Sequence, residues 1–334
     1  MVTSPDSPVA PAAPADDALT QLCKAAGDPL RMQILRVLRH NAYGVLELCQ
    51  IFATRQSTMS HHLKLLANAG LVATRREATS IFYRRKIAHA DATVEQFLRA
   101  FYRAVDQLAV APQQLERIDA VHAERSASSR QFFQDNAERF EANQDLIASW
   151  RDYGDSVERF VSEQVAGERR CAVEIGPGYG DFLPYLSRHF QRVVAVENAA
   201  PMLAACQQRT AEFGLTNIDY LHADSSAAVL PSAAADLVSL NMVLHHNAAP
   251  AQIIADAAAL LSAGGSLLIT ELCEHDQQWA QSACGDLWLG LAAEALDEWC
   301  AAAGLQPAAS LYLAQRNGFR VQIRQFTRAT AAHH

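Results

Sequence analysis

The stretch Val173-Glu-Ile-Gly-Pro-Gly-Tyr-Gly-Asp181 is the strongest indication of the fold in the second half of this 334-residue chain. It places three glycines directly after a short apolar run. Glycines at this spacing let a strand turn tightly into a helix and let the backbone approach a ligand closely. A second apolar run ends at Glu197-Asn198, about 20 residues further on, where a carboxylate can accept hydrogen bonds from both hydroxyls of a ribose. The pattern predicts a nucleoside-binding α/β domain.

Short apolar strands alternate with helices after residue 170, which is typical of a parallel sheet with crossover helices. The predicted parallel strands are Cys171–Ile175, Arg192–Val196, Ile218–His222, Leu237–Asn241 and Ser266–Glu271. A closing pair, Ser310–Gln315 and Arg320–Phe326, flanks Asn317-Gly318, which is a strong hairpin signal.

The glycine loop with Glu174 before it resembles motif I of class I S-adenosylmethionine-dependent methyltransferases, and the resemblance extends over about residues 165–330. It implies a Rossmann-like α/β domain with a seven-stranded, mostly parallel sheet. It also implies S-adenosylhomocysteine or S-adenosylmethionine as the ligand, with Glu174 near the methionine amino group, Met202 packed on the adenine and Asp224 accepting from the adenine amine. The implied binding residues are Glu174, Gly176, Gly178, Gly180, Glu197, Asn198, Met202, Asp224, Ser225 and Asn241.

The first half of the chain has the spacing of a helix–turn–helix. Helices are predicted at Val45–Phe52 and from about Gln56 to Asn68, and Leu71–Arg76 and Ser80–Lys86 form a β-hairpin after them. Residues 1–112 carry 13 Lys and Arg against 9 Asp and Glu, whereas the rest of the chain carries 15 against 27. A basic region on an acidic protein favours a local site for a polyanion.

The start of the second of these helices is polar and contains no acidic residue, so it suits contact with bases and phosphates in a major groove. Its candidate DNA-binding residues are Gln56, Ser57, Thr58, Ser60, His61, His62 and Lys64. The hairpin adds four arginines that would lie along the DNA backbone: Arg75, Arg76, Arg84 and Arg85.

Four runs in this half resemble ArsR/SmtB-family winged-helix repressors over about residues 18–108. They are Lys24-Ala-Ala-Gly-Asp-Pro-Leu-Arg31, Gln56-Ser-Thr-Met-Ser-His-His-Leu-Lys-Leu-Leu66, Ala69-Gly-Leu-Val72 and Tyr83-Arg84. The resemblance implies an α+β winged helix-turn-helix, a homodimer and an inverted-repeat operator in double-stranded DNA. Metal-sensing members carry Cys-x-Cys before the Glu-Leu of the first helix. Gly44 and Leu46 stand at those positions here, so we expect no metal.

Residues 91–108 carry an apolar stripe at helical spacing, formed by Val94, Phe97, Leu98, Phe101 and Val105. We interpret this stripe as the dimer interface. The alternative is that it packs on its own domain.

These patterns divide the chain into a disordered leader (1–17), a winged helix-turn-helix and dimerisation domain (18–110), a helical linker (111–165) and a ligand-binding domain (166–334). The seven scattered cysteines contain no Cys-x-x-Cys, and no apolar run reaches the ~18–20 residues that span a bilayer. We therefore expect a cytoplasmic protein with no membrane partner.

The sequence is compatible with three hypotheses about function. The first is a repressor that responds to S-adenosylhomocysteine or S-adenosylmethionine, because the whole architecture resembles ArsR–methyltransferase fusions, some of which resemble S-adenosylhomocysteine-responsive repressors of methionine-cycle genes. The alternative is a small-molecule methyltransferase with a fused DNA-binding domain. A third reading is a repressor whose second domain only dimerises.

Catalysis would need a positioned methyl acceptor and sometimes a base. His245 and His246 are the candidates for that base, although histidines here also serve as wall residues. The run Asn241-Met-Val-Leu-His-His246 lacks the Asn/Asp-Pro-Pro-aromatic motif of DNA amino-group methylases, which argues against base methylation.

Overall fold

The computed structural model describes residues 15–39, 41–77, 80–86, 91–226, 234–277 and 279–330, and of residues 15–16, 75–77, 80, 137–143 and 281–282 it describes the backbone alone. The chain forms two compact units, Met1–Val121 and His122–His334. Among the described residues, no helix has both the length and the apolar character needed to cross a membrane.

The first unit is a helical domain with a small antiparallel sheet. Its elements are α1 (Ala15–Ala26), α2 (Pro29–Val37), β1 (Tyr43–Gly44), α3 (Val45–Phe52), α4 (Gln56–Asn68), β2 (Val72–Glu77), β3 (Ser80–Arg85) and α5 (Ala92–Val105). The sheet order is β1-β3-β2, so the predicted hairpin gains a short third strand that the sequence pattern did not indicate. The side chain of Asp28 caps α2 by accepting from the backbone N–H of Arg31, and Pro29 opens the helix.

The turn between α3 and α4 confirms the helix–turn–helix. Ala53 ends α3 in the left-handed conformation with φ 48°, which reverses the chain within three residues before α4 begins. Leu48 and Ile51 of α3 pack with Met59 and Leu63 of α4 in one core cluster. Because these apolar side chains recur at helical spacing, they bury one face of each helix and leave the other face of α4 exposed.

The second unit contains a seven-stranded sheet. Its elements are α6 (Pro112–Ala148, which begins in the first unit), α7 (Trp150–Gln164), β4 (Cys171–Ile175), α8 (Leu183–His189), β5 (Arg192–Glu197), α9 (Ala200–Ala211), β6 (Ile218–His222), β7 (Ala235–Asn241), α10 (Pro250–Leu260), β8 (Leu261–Leu272), α11 (Trp279–Cys284), α12 (Ala293–Ala302), β9 (Leu305–Ala314) and β10 (Arg320–Arg328). The order is β6-β5-β4-β7-β8-β10-β9. Only β10 runs antiparallel to its two neighbours, so the predicted mostly parallel sheet is confirmed.

Part of the helical linker predicted at 111–165 belongs to the core of the second unit. Tyr153, Val157, Phe160 and Val161 of α7 are buried in the core of the second unit, together with strand residues of its sheet. These positions follow the spacing of an amphipathic helix, and the sheet face offers the surface that covers them. The second unit therefore begins well before residue 166.

The apolar stripe of α5 is divided between two environments, which corrects the prediction that all of it forms a dimer interface. Val94, Leu98 and Val105 are buried in the core of their own unit, where α5 packs against α1 and α2. Phe97 and Phe101 are half-buried, and their rings stack with centroids 6.2 Å apart. Only these two aromatic residues of the stripe remain available to a partner.

Arg85 is likewise removed from the candidate DNA contacts. Its side chain is 4% exposed and its Nη1 donates to Asp106 Oδ1 at 2.6 Å. The guanidinium also lies over the ring of Tyr102, 4.3 Å from the centroid. A cation buried against a carboxylate and an aromatic face joins β3 to the end of α5.

We predict that the double substitution Phe97→Asp and Phe101→Asp converts a dimer into monomers, because two carboxylates would be buried at the contact between subunits. Multi-angle light scattering measures the mass, and circular dichroism checks that the variant is folded. Ala100→Asp, on an exposed position of the same helix, is the control and should leave the dimer intact. A dimer that persists in the double variant, or a monomeric wild type, would place the interface elsewhere or remove it.

Candidate functional site

The glycine loop joins β4 to α8, and its three glycines have different reasons to be glycine. Their φ angles are 68° at Gly176, 57° at Gly178 and 81° at Gly180, a region that other residues rarely adopt. A Cβ at Gly176 would lie 2.7 Å from Val243, and one at Gly180 would lie 2.9 Å from Cys206. A Cβ at Gly178 would meet no described atom within 4 Å. The first and third glycines therefore allow close packing, whereas the second faces open space.

Glu174, the last but one residue of β4, is a buried carboxylate with one oxygen unused. It is 2% exposed, and Asn241, at the end of β7, donates from Nδ2 to its Oε1 at 3.0 Å. Among the described residues, neither Glu174 Oε2 nor Asn241 Oδ1 has a hydrogen-bond partner. Burial raises the pKa of Glu174 to about 8, and the hydrogen bond from Asn241 only partly offsets this. The pair thus leaves two buried oxygens without a hydrogen-bond partner among the described residues.

The neighbouring strand ends carry the other predicted polar groups. Glu197 ends β5, its Oε1 accepts from the backbone N–H of Ala199 at 2.8 Å, and burial raises its pKa. Asn198 Nδ2 donates to Oδ1 of Asp224, which follows β6, at 2.8 Å. Because β4 to β7 are parallel, their carboxyl ends bring Glu174, Glu197, Asp224 and Asn241 to one edge of the sheet.

Two predicted ligand residues take part in internal contacts. Met202 of α9 is buried, with 2% of its surface exposed. The hydroxyl of Ser225 donates to Asp256 of α10 at 2.8 Å. Ser225 therefore already uses its proton within the protein, which weakens the case for it as a ligand contact.

The two candidate bases lie in a closed polar cluster beside β8. His245 is completely buried, and its Nδ1 lies 2.5 Å from Glu271 Oε1. Its Nε2 lies 3.8 Å from Asp286 Oδ1, and His246 Nδ1 lies 3.5 Å from the same oxygen. Neither ring is open to a methyl acceptor in this arrangement, because His246 is also buried.

The pKa shifts in this cluster follow from burial and charge. Burial lowers the pKa of His245, but Glu271 and Asp286 outweigh that effect and raise it to about 9. Burial raises the pKa of Asp286 to about 7. Burial, and after it the charge of His245, lowers the pKa of His246 well below its ordinary value.

The candidate DNA-contacting face lies on α4. Six of the seven predicted residues are exposed: Gln56, Ser57, Thr58, Ser60, His61 and Lys64. His62 is half-buried, with its Nδ1 3.8 Å from Asp28 Oδ1, so its ring turns towards α2. Arg84 is half-buried in β3. The side chains of Arg75 and Arg76 lie outside the described residues.

The sequence pattern indicates both histidines of the cluster but neither carboxylate. A signal existed for Glu271, because an acidic residue at the end of an apolar strand is costly unless it has a partner. No spacing pattern links Asp286 to the histidines, since it lies in an irregular segment between α11 and α12. That contact becomes visible only in three dimensions.

Comparisons with known proteins give a family match within each of the two units. A family described as a methyltransferase domain matches residues 173–269, and the arsR family of bacterial regulatory proteins matches residues 28–74. An uncharacterized methyltransferase of Mycobacterium bovis is 34% identical over 100 residues, which cover 30% of this chain and 49% of that protein. The chain thus spans about half the length of that relative.

Two further relatives cover the units more fully. An uncharacterized HTH-type transcriptional regulator of Methanocaldococcus jannaschii is 42% identical over 66 residues, 19% of this chain and 72% of that protein. The solved 1,6-didemethyltoxoflavin-N1-methyltransferase of Burkholderia thailandensis, with bound S-adenosylhomocysteine, has a TM-score of 0.50 at 17% identity, covering 67% of this chain and 93% of its own. At that identity the likeness establishes the fold alone.

We predict that Glu174→Gln stabilises the second unit at alkaline pH. The folded pKa of about 8 exceeds the ~4.3 of an unfolded chain, so the folded state keeps a proton that the unfolded state releases, and stability falls as pH rises through that window. Glutamine has no such proton. The variant should differ little from wild type near pH 4 and exceed it by roughly 2–4 kcal/mol near pH 8.

Denaturant unfolding without ligand, followed by tryptophan fluorescence, measures this difference. All four tryptophans, Trp150, Trp279, Trp288 and Trp299, belong to the second unit. Glu212→Gln, at an exposed position, is the matched control and should show no comparable gain. Equal behaviour of the two variants at both pH values would mean that Glu174 is not held protonated.

Proposed function

The chain belongs to the arsR family of bacterial regulatory proteins and continues into a methyltransferase domain, and from this we propose that it is a ligand-responsive repressor. In this proposal the methyltransferase domain binds S-adenosylhomocysteine or S-adenosylmethionine, and the ligand changes the affinity of the winged helix-turn-helix for operator DNA. The observation that carries the proposal is the pair of buried oxygens, Glu174 Oε2 and Asn241 Oδ1, that have no hydrogen-bond partner among the described residues.

An amino-acid ammonium group fits that pair. It carries three N–H donors and a positive charge, so it can satisfy Glu174 Oε2 and Asn241 Oδ1 together. It would also favour the ionised form of Glu174, which burial otherwise opposes. Both S-adenosylhomocysteine and S-adenosylmethionine carry this group. The Burkholderia relative holds the former, which supports a ligand of this class.

The remainder of the ligand would lie along the same sheet edge. Glu197 stands where a carboxylate can accept from ribose hydroxyls, and Asp224 stands after the next strand, where an adenine amine can be bound. The open space at Gly178 would admit the ligand against the backbone N–H groups of the loop. When bound, S-adenosylmethionine would supply an electrophilic methyl group; S-adenosylhomocysteine would supply none.

The closed histidine cluster favours a sensor over an enzyme. A general base must reach the proton that it removes, whereas His245 and His246 are buried among Glu271, Asp286 and each other. The alternative, a small-molecule methyltransferase with a regulatory DNA-binding domain, would require this cluster to open towards an acceptor. A sensor needs only a ligand that binds the two DNA-binding states with different affinity.

The first unit would read the operator through α4. Its six exposed polar residues would enter the major groove, with Arg84 and the other hairpin arginines near the phosphates. A homodimer formed around Phe97 and Phe101 would match an inverted repeat. We propose that the targets are methionine-cycle genes and that the protein acts in the cytoplasm.

We expect one of the two ligands to change operator affinity by roughly tenfold, which is ~1.4 kcal/mol of coupling. Fluorescence anisotropy of DNA from upstream of the protein's own gene, titrated at fixed salt with and without each ligand, measures this. Glu174→Gln should lose the ligand response, and the control Glu212→Gln should keep it.

A second outcome would contradict the sensor proposal. If both ligands occupy the protein, as shown by isothermal titration, and neither changes DNA affinity, the sensor proposal fails. An assay for S-adenosylhomocysteine release from S-adenosylmethionine in the presence of candidate acceptors then tests the enzyme alternative.

A further inference from the structure

The buried cluster beside β8 has a geometry that the repressor proposal does not use. His245, His246 and Asp286 each offer a ligand atom, and these three atoms lie within 4.8 Å of one another. We propose that they bind one divalent transition-metal ion of the Zn²⁺ class, through His245 Nε2, a ring nitrogen of His246 and a carboxylate oxygen of Asp286.

The distances within the cluster suit an ion better than hydrogen bonds. Asp286 Oδ1 lies 3.8 Å from His245 Nε2 and 3.5 Å from His246 Nδ1, which is too long for a direct N–H···O contact. Ligand atoms around a tetrahedral Zn²⁺ with bonds of about 2.0–2.1 Å are about 3.3–3.4 Å apart. The two distances to Asp286 Oδ1 therefore exceed the spacing of ligand atoms around a tetrahedral ion by only a few tenths of an ångström.

The ligand atoms of Asp286 and His245 have no other role among the described residues. Both carboxylate oxygens of Asp286 and Nε2 of His245 are buried without a hydrogen-bond partner there, and Asp286 is 3% exposed. A carboxylate in such a place is costly unless it is paired or bound to a metal. One cation would satisfy all three atoms.

Glu271 has the position of an outer partner that orients a metal-binding histidine. It lies 2.5 Å from Nδ1 of His245, so a proton on Nδ1 would leave the lone pair of Nε2 free to face Asp286. Its carboxylate is itself fixed, because Leu272 N–H donates to Oε1 at 2.7 Å and His245 N–H donates to Oε2 at 3.2 Å.

The backbone also holds the ligands together. The N–H groups of Leu287 and Trp288, the two residues after Asp286, donate to the carbonyl of His245 at 2.9 and 3.0 Å. The hydroxyl of Ser129 donates to the carbonyl of His246 at 3.0 Å. The site would thus be largely formed before an ion arrives.

The donor set indicates the class of ion. Two imidazoles and one carboxylate suit Zn²⁺ and similar borderline ions, whereas Mg²⁺ and Ca²⁺ prefer oxygen ligands alone. Three protein ligands leave a fourth position for water or another small ligand. This site differs from the Cys-x-Cys position of metal-sensing ArsR/SmtB members, which Gly44 and Leu46 occupy here.

The test uses the full chain without an affinity tag, stripped with a chelator and then supplied with ZnCl₂, in the absence of DNA and nucleoside. We expect one Zn²⁺ per chain to remain after gel filtration by plasma mass spectrometry, and the thermal midpoint of tryptophan fluorescence to rise on adding Zn²⁺. Asp286→Asn should abolish retention, and Glu271→Gln should weaken Zn²⁺ binding about 10–100-fold.

A double substitution His61→Gln and His62→Gln is the matched control for binding at histidines outside the cluster, and it should retain Zn²⁺. Retention by Asp286→Asn, or loss in the His61/His62 control, would show an adventitious ion only. If Asp286→Asn does not fold, the wild type decides. No effect of Zn²⁺ on its thermal midpoint, and no visible tetrahedral absorption with Co²⁺, would overturn the proposal.

Discussion

The buried carboxylate of Glu174 is the constraint on which the ligand site depends. It lies on β4, inside the mostly parallel sheet, and its Oε1 accepts a hydrogen bond from Asn241 of the adjacent β7. Burial raises the pKa of this carboxyl group, and its ionisation without a bound ligand lowers the stability of the folded state. The glycine loop follows directly after Glu174, and a Cβ at Gly178 would meet no described atom within 4 Å. In the proposal, a cationic amine would stabilise the ionised carboxylate of Glu174, and we therefore expect a nucleoside that carries an ammonium group to bind better than one without it.

Much of this arrangement could be predicted from the sequence, because strong local patterns set it. The apolar runs that end at Ile175 and Glu197 became β4 and β5 within one residue of the predicted bounds. The carboxyl ends of parallel strands meet at one edge, so placing the strands also placed Glu174 and Asn241 near each other. The helix–turn–helix was equally readable, because α3 and α4 each bury a face at helical spacing.

The features that could not be predicted depend on tertiary packing. The apolar stripe on α5 predicts that this face of the helix is buried, but it does not show which surface covers it. Val94 and Leu98 pack into the core of their own unit. Arg84 and Arg85 are adjacent arginines that the sequence does not distinguish, yet the guanidinium of Arg85 is buried against Asp106. Asp286 meets His245 only after the chain has passed β8 and α11, and sequence spacing carries no trace of such a contact.

If the ammonium group of an amino-acid nucleoside binds to Glu174 Oε2, the carboxyl group must ionise, and binding must release its proton. Isothermal titration of S-adenosylhomocysteine near pH 6.5, in buffers of different ionisation enthalpy, measures the protons released. With an apo pKa of about 8, Glu174 should lose close to one proton per chain on binding, and Glu174→Gln should lose none. Binding without proton release in the wild type, or the same release in both proteins, would exclude Glu174 as the group that binds the ammonium.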